Sequence, residues 1–460
     1  MFNGADLSQV LLVSMDSTDT LIDKNRTDQC EREGGSLSCL QPQSPIVFLN
    51  TFMHRVFRFF VSVVVLACSI ADASAQTASS HNQLKDPRPD AKVHFGPFFI
   101  RPGFQLTRFG YDSRVSDSDG DTRSDFVIAF GPNATVWVPL ARRALVTTSM
   151  SFGVTYFSTH KAQSSTDPGI SVKAEASLFR FVPFVQRSIQ QAWRQPTAEL
   201  DIRVPLTTRS TSAGVTYSPL GRTSVQLSGS RTSTEHGATA RYLGVNLSRA
   251  LNDVQQGIML RVDRRVTTLT KVHFSAENHQ DRFELDPKRN MAGARVAVGA
   301  DFGKKAFLLG KAEVGFQHMS PETASFSSFT GVVANVDLER SIGRSATVSS
   351  AWSRSLASSF ISARPYYVDN NIKFHVRQQL GGSIDIFVGP DFGRASYVRS
   401  ASDTKSLTVA NRLFSADLGV RLTRDARVGV VLTRVSRSSE LTEVRSFSGL
   451  RIGLSFSAGF

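Results

Sequence analysis

The chain ends with the stretch Leu450-Arg-Ile-Gly-Leu-Ser-Phe-Ser-Ala-Gly-Phe460, in which apolar side chains alternate with small or polar ones. Leu450, Ile452, Leu454 and Phe456 fall on one face of an extended strand, because side chains along a strand point alternately to opposite faces. The intervening residues fall on the other face. The stretch therefore predicts a β-strand with one apolar and one polar face that ends on an aromatic residue.

The same alternation recurs through the body of the chain. Within residues 145–157, Val146 and Phe152 share one face, whereas Thr147 and Ser149 share the other. Many candidate strands are near the ~10 residues that a tilted strand needs to cross a bilayer, and charges lie deep within their polar faces. A soluble β-sandwich or propeller also buries one face, but strand length and charge favour a transmembrane barrel with a hydrated lumen.

Tight turns alternate with longer polar loops along the chain. This pattern predicts an all-β, antiparallel, up-and-down barrel with short turns on one side of the membrane and longer loops on the other. Counting gives about 18 strands; the alternative is 16, if the weak strands at 182–193 and 345–355 merge or drop out. Gln195 and Pro196 predict only a short break, and residues 199–204 are interpreted as a strand with Leu200 and Ile202 towards lipid.

Residues 53–75 have the anatomy of a secretory signal peptide, with a basic start, an apolar run too short to span a bilayer and a small-residue cleavage site. A loose lipobox ending at Cys68 makes lipid attachment a weaker alternative. Because a signal peptide belongs at the start of a chain, we interpret Met53 as the translation start. The expected organisation is an extension at 1–52, the signal peptide at 53–75, a short periplasmic segment at 76–94 and the barrel at 95–460.

Composition excludes several classes of site. Cys30, Cys39 and Cys68 all precede residue 76, so the exported chain is expected to have no disulfide, cysteine metal site or thiol nucleophile. Residues 1–75 hold 5 of the 53 Lys+Arg and 8 of the 39 Asp+Glu, which leaves a net charge of +17 after them. The basic residues are dispersed and form no nucleic-acid-binding motif, so no nucleic acid is expected as a partner.

Residues 95–460 resemble bacterial outer-membrane β-barrel proteins, and in particular the putative β-barrel porin 2 family. The resemblance rests on the stretch Gly96-Pro-Phe-Phe-Ile-Arg-Pro-Gly-Phe104, on Gly110-Tyr-Asp-Ser-Arg-Val115, and on the final strand. Related barrels often have Asn where Arg114 stands. The resemblance implies the outer membrane, reached through the periplasm, with short periplasmic turns and longer extracellular loops. It also implies that Phe460 closes the last strand and marks the chain for the barrel-assembly machinery.

Candidate site residues follow from the polar faces. The charged and histidine side chains expected to line the pore are Lys173, Glu175, Asp201, Arg203, Lys271, His273, Glu277, Arg295, Lys373, His375, Arg377, Asp417, Arg421 and Arg451. Carboxylates at alternate positions resemble a calcium loop, although the glycine is not where an EF-hand has it; a solvated acidic loop is the alternative. The carboxylates are Asp117, Asp119, Asp121 and Asp125.

No catalytic constellation stands out. His273 and Glu277 share a face but lie ~13 Å apart along a strand, which is too far for a shared metal or a catalytic pair. No Ser/His/Asp order or phosphate loop is found, so neither an enzyme nor a cofactor is expected.

We therefore expect a porin-like channel for passive diffusion of small polar solutes, with a weak anion preference. Outer-membrane lipid, lipopolysaccharide and small polar or anionic solutes are the expected partners, because the chain is basic. One alternative is a structural or surface-interaction barrel with an occluded lumen, for which 234–252 is the candidate constricting loop. Another is an export conduit for surface polysaccharide. The chain shows no TonB box or plug domain, which disfavours an energised siderophore transporter.

Overall fold

The computed structural model describes residues 84, 86–116, 122–140, 143–220, 222–303, 306–323, 326–398, 407–423 and 425–459. These residues all belong to one compact unit, 71–460. The expected extension at 1–52, the signal peptide at 53–75 and Phe460 lie outside the described residues.

Within the described residues, eighteen long strands form one antiparallel sheet that closes on itself. The predicted barrel and its strand number are confirmed, and the weak segments at 182–193 and 345–355 are both strands. Numbered in chain order, the strands are β1 (Phe98–Ser116), β2 (Thr122–Leu140), β3 (Ala144–Phe157), β4 (Ser165–Ala176), β5 (Phe181–Arg194), β6 (Val204–Leu220), β7 (Thr223–His236), β8 (Asp253–Arg265), β9 (Thr270–Phe283), β10 (Met291–Phe302), β11 (Leu309–Pro321), β12 (Phe329–Ile342), β13 (Ala346–Ser358), β14 (Tyr366–Leu380), β15 (Ile384–Tyr397), β16 (Thr408–Arg421), β17 (Ala426–Ser439) and β18 (Phe447–Gly459).

The barrel closes where β18 pairs with β1. The register runs from Gly103 opposite Gly459 to Asp112 opposite Arg451. A bulge between Leu106 and Phe109 interrupts it, and this extra residue reverses which side chains of β1 face outward. Closure leaves no unpaired strand edge, which is the condition for a sheet to stand in lipid.

The outer face of the barrel is apolar. Phe274 on β9, Val298 on β10 and Val314 on β11 lie side by side in register and are all exposed. Their sequence neighbours on these strands are polar or small and face the interior. A continuous exposed apolar wall of this kind is stable in lipid rather than in water.

The connections alternate in length, so the barrel has a short-turn end and a long-loop end. In one short turn, Gly381 and Gly382 both have positive φ (59° and 81°), a conformation that residues with a Cβ adopt only with strain. The described residues between strands at the short-turn end are 143, 177–180, 222, 266–269, 303, 306–308, 343–345, 381–383, 422–423 and 425. Those at the long-loop end are 158–164, 195–203, 237–252, 284–290, 322–323, 326–328, 359–365, 398, 407 and 440–446.

Smaller elements complete the described chain. A strand at Val93–Phe95 folds back on the start of β1. The loop at 237–252 contains a small hairpin, Arg241–Tyr242 with Val245–Asn246, and one helix, α1 (Leu247–Leu251). Single 3-10 turns occur at Lys161–Gln163 and Pro287–Arg289. No helix among the described residues has the length and apolar character to cross a bilayer.

Candidate functional site

The inner wall near the short-turn end carries an ion-pair network on β8–β10. Arg261 donates to Asp263 at 3.0 Å and to Asp301 at 3.1 Å. Lys271, one of the predicted pore-lining residues, lies 3.3 and 3.4 Å from the same two carboxylates. A ring nitrogen of His273, another predicted residue, lies close to carboxylate oxygens of Asp263 and Asp301. The three atoms are near enough to one another to share a metal ion. Because a guanidinium and an ammonium group already bind both carboxylates, this cluster is poorly suited to a cation.

A second network lies on β15–β17 near the same end. Arg427 lies 2.6 Å from both Asp385 and Asp417, and Arg421 lies 3.3 Å from Asp385. Asp417 and Arg421 were predicted to line the pore, whereas Arg427, which binds two carboxylates, was not among the predicted residues. Each network pairs cations with anions in similar numbers, so neither network carries much excess charge.

The other predicted wall residues lie on strands and pair locally. Lys173 binds Glu175 at 2.6 Å, and His375 binds Asp391 at 2.7 Å. Arg295 binds Glu313, which also accepts from His273 at 3.0 Å. Of the remaining residues, Glu277 lies opposite Arg295 in register, Lys373 lies opposite Asp391, and Arg377 lies over the ring of Phe387.

Asp201 and Arg203 do not lie on a strand. The interpretation of 199–204 as a membrane strand is wrong, since β5 ends at Arg194 and β6 begins at Val204. Residues 195–203, here called the crossing loop, run into the lumen instead. Leu200 and Ile202, expected to face lipid, are fully buried in an interior cluster with Tyr367, Tyr397 and other residues. Their apolar alternation reflects contact with the opposite wall and not with lipid.

The crossing loop is held by the far side of the barrel. Arg437 on β17 donates to the carbonyl oxygen of Ala198 at 2.6 Å and to that of Leu200 at 3.2 Å. The Tyr367 hydroxyl on β14 accepts from the Ala198 backbone at 3.3 Å. Strands β14–β17 lie a third to a half of the way around the barrel from β5 and β6, so the loop crosses the lumen at the long-loop end.

Glu199, in the middle of the crossing loop, has no exposed surface. Its carboxylate accepts from the Tyr397 hydroxyl and, at 3.2 Å, from the Phe360 backbone N–H. Among the described residues, no cation lies within ion-pair distance of it. Burial raises the pKa of the Glu199 carboxyl, and the hydrogen bonds from Tyr397 and Ser359 offset this only in part. The docked loop therefore favours a protonated Glu199.

A second loop, 237–252, joins the crossing loop; the segment 234–252 was named as the candidate constricting loop of the alternative, occluded barrel. Tyr242, Leu247 and Leu251 of this segment are buried in the same interior cluster. Arg289 ties the loops together, because it donates to the backbone oxygens of Ala250, Ser359 and Pro365. Arg289 was not predicted, since nothing in the local sequence distinguishes it from a surface arginine.

Beneath the crossing loop, β1, β2, β3 and β5 surround a cavity of about 340 Å³. We call it the arginine pocket, because five arginines line it together with only two carboxylates. The charged lining residues are Arg108, Arg114, Arg194, Arg203, Arg451, Asp112 and Asp201. Arg451 lies 2.9 Å from Asp112, and Arg114 lies 2.9 Å from Asp201.

The bulge explains why Arg108 and Asp112 were missed. Both are even-numbered, and even-numbered residues face lipid on most strands, although odd-numbered residues do so on β5–β7. The bulge in β1 brings both inward. A signal for it exists in the sequence, because the apolar positions shift from Phe104 and Leu106 to Phe109 and Tyr111.

Asp125, the one member of the proposed calcium loop among the described residues, is committed to another contact. Its carboxylate accepts from the Ser158 hydroxyl at 2.5 Å and from the His160 backbone at 2.7 Å. It holds the start of the β3–β4 loop in this way. Asp117, Asp119 and Asp121 lie outside the described residues, so the calcium loop stays a prediction.

The closed barrel, its apolar belt and its polar interior define a porin-like outer-membrane protein. The family model described as putative beta-barrel porin 2 matches residues 91–458, and the chain belongs to that family. No curated protein matches the chain.

Solved outer-membrane barrels are similar in fold. OpdO from Pseudomonas aeruginosa is 12% identical, with a TM-score of 0.44 over 78% of this chain and 97% of that one. OccAB3 from Acinetobacter baumannii is 9% identical, with a TM-score of 0.44 over 78% and 99%. The siderophore receptor PirA from Acinetobacter baumannii is 8% identical, with a TM-score of 0.38 over 78% and 80%. Similarities at this level give no information about the function of this chain.

Proposed function

We propose that the protein is a channel for passive diffusion of small polar solutes across the outer membrane, with a weak preference for anions. The observation that carries the proposal is the solvent exposure of charged groups on the inner wall. The side chains of Lys173, Lys271 and Arg421 keep about two-fifths of their surface exposed (38%, 43% and 38%). Charges of this kind need water, so the space beside these strands is hydrated.

The arginine pocket supports the anion preference. The networks near the short-turn end are close to neutral, whereas the pocket has five arginines against two aspartates. Residues of the crossing loop line part of it, so an ion that passes beside this loop experiences its field at short range. Low-dielectric walls strengthen such a field, and a local positive potential raises the concentration of anions.

The test is conductance of the full exported chain in a planar lipid bilayer. We expect ohmic steps, and in a KCl gradient the reversal potential should have the sign of chloride preference. Replacing chloride by a larger organic anion should shift that potential. A silent membrane after verified insertion, or a cation-selective reversal potential, would contradict the proposal.

One observation favours a different function, a structural or surface-interaction barrel with an occluded lumen. The interior cluster joins the crossing loop, the 237–252 loop and the loops at 359–365 and 440–446 into an apolar core at the long-loop end. A core of this size resists opening. Proteoliposomes that contain the protein but exclude small sugars and amino acids in swelling assays would support this alternative.

A further inference from the structure

We propose that the arginine pocket is a binding site for a small organic anion, a carboxylate attached to an aromatic or aliphatic body. The proposal deepens the channel function and rests on it only for the claim that the ligand is in transit. The cavity of about 340 Å³ falls at the lower end of volumes typical of small-molecule sites.

The charged side of the pocket has hydrogen-bond donors that the protein does not use. Arg108 and Arg451 share a single carboxylate, Asp112, at 3.2 and 2.9 Å. About a third of each arginine side chain remains exposed (34% and 35%), so other N–H groups of the two guanidinium forks face the cavity. Two arginines on one carboxylate leave one positive charge, and a guanidinium fork matches the planar geometry of a carboxylate.

Arg194 adds a further cation at the cavity edge. It is the last residue of β5 and is exposed. Within the part of the chain that the structure describes, it has no ion-pair partner. An arginine that lines a cavity and is not engaged by the protein can bind a ligand without breaking an existing contact.

The opposite side of the pocket is apolar. Val115, Val127 and Phe157 form a small buried cluster that lines it. Arg203 does not compete for the ligand, because it donates to the Trp193 carbonyl at 3.0 Å and to the Ser165 hydroxyl at 3.1 Å. An inorganic anion would leave this apolar wall in contact with water, whereas an organic anion covers it.

Calorimetry supplies a direct readout of binding. The full exported chain in detergent micelles is titrated with benzoate, and the heat of binding is followed. We expect saturable binding of benzoate, no binding of benzamide, which has the same shape without the charge, and weaker binding of inorganic phosphate.

Two substitutions test the charged side independently. Arg451→Gln is expected to weaken benzoate binding about tenfold, the effect of losing one charge-assisted hydrogen bond. Since Arg451 lies at the barrel seam, Arg194→Gln provides a second variant, which breaks no ion pair of the described residues; it should weaken binding severalfold. Arg340→Gln is the matched control: this arginine lies over the Phe307 ring at the short-turn end and should bind benzoate as the unmodified protein does.

The outcomes separate this inference from the channel function. Saturable benzoate binding by a barrel that does not conduct would reject only the channel. Conductance without saturable binding, equal binding of benzamide, or unchanged affinity in both Arg451→Gln and Arg194→Gln would reject the binding site.

Discussion

Arg451 on β18 lies 2.9 Å from Asp112 on β1, so an ion pair bridges the seam at which the last strand meets the first. Asp112 is buried and also binds Arg108, and its backbone position is set by the pairing of β1 with β18. The seam is therefore held by side chains as well as by the backbone ladder.

Removal of this carboxylate should weaken the barrel. Asp112→Ala leaves Arg108 and Arg451 side by side without an anion, and we expect the free energy of unfolding to fall by about 1–3 kcal/mol. Urea titration of the protein in lipid vesicles measures it. Lys92→Ala is the control, because the exposed Lys92–Asp425 pair at 2.9 Å should contribute less than about 1 kcal/mol. Equal losses in the two variants would contradict a role for the seam pair.

Backbone crowding at the seam gives a second prediction. A Cβ on Gly110 would lie 2.1 Å from the Ile452 carbonyl oxygen, whereas a Cβ on Gly459 would meet nothing within 4 Å. Gly110→Ala must therefore push β1 away from β18, and we expect a loss of about 1–3 kcal/mol with less heat-modifiable folded barrel on gels. Gly459→Ala should assemble normally. Normal assembly of Gly110→Ala would show that the seam tolerates a wider spacing.

Release of the crossing loop should open the lumen. Arg437→Met keeps the bulk of the side chain but removes its donation to the carbonyls of Ala198 and Leu200. One such charge-assisted hydrogen bond contributes about 1.5–3 kcal/mol. Its loss should therefore increase the population of the undocked loop by at least about tenfold. Single-channel recordings should show a level of higher conductance.

Arg412→Met is the matched control for that variant, because Arg412 is one residue from Asn411, the β16 partner of Arg437, and is exposed. It should conduct as the unmodified protein does. Identical traces for both variants would mean that the crossing loop does not limit passage.

Acidity should modulate the same loop. The pKa of Glu199 is raised by burial when the loop is docked, so the docked state binds the proton more tightly than the undocked state. Docking is therefore strongest below the ordinary carboxyl pKa and weakens as the pH rises through the raised value. We expect conductance to increase from acidic to neutral pH.

Glu199→Gln should abolish this pH dependence of conductance. Glu322→Gln, in a loop distant in sequence, is the control and should preserve it. An unchanged profile in Glu199→Gln would assign the effect to another group.

Period-two alternation was enough to predict the barrel, because lipid imposes one physical requirement on every outward position. The crossing loop was not predictable in the same way. Leu200 and Ile202 continue the alternation of β6. The pattern indicates that these side chains are buried, but it does not indicate which residues cover them. Their partners, such as Tyr367 and Tyr397, lie more than 160 residues further along the chain, and no local signal connects the two.

Arg108 and Asp112 of the arginine pocket were missed for a different reason. One extra residue in β1 moves Arg108 and Asp112 from the outer to the inner face. An interpretation that assumes unbroken alternation along the strand therefore assigns both to the wrong face. The ion pairs of the short-turn end were easier, because Lys271, Asp417 and Arg421 lie on strands whose alternation is unbroken.

The attachment of the crossing loop to Arg437 also sets an order of events during synthesis and insertion. The loop follows β5, the fifth of the eighteen strands, but the strands that hold it are among the last to be made. Until β17 is in place the loop has nowhere to dock, so its apolar residues remain uncovered. Docking therefore requires the complete wall, and the long-loop end acquires its final shape only in a finished barrel.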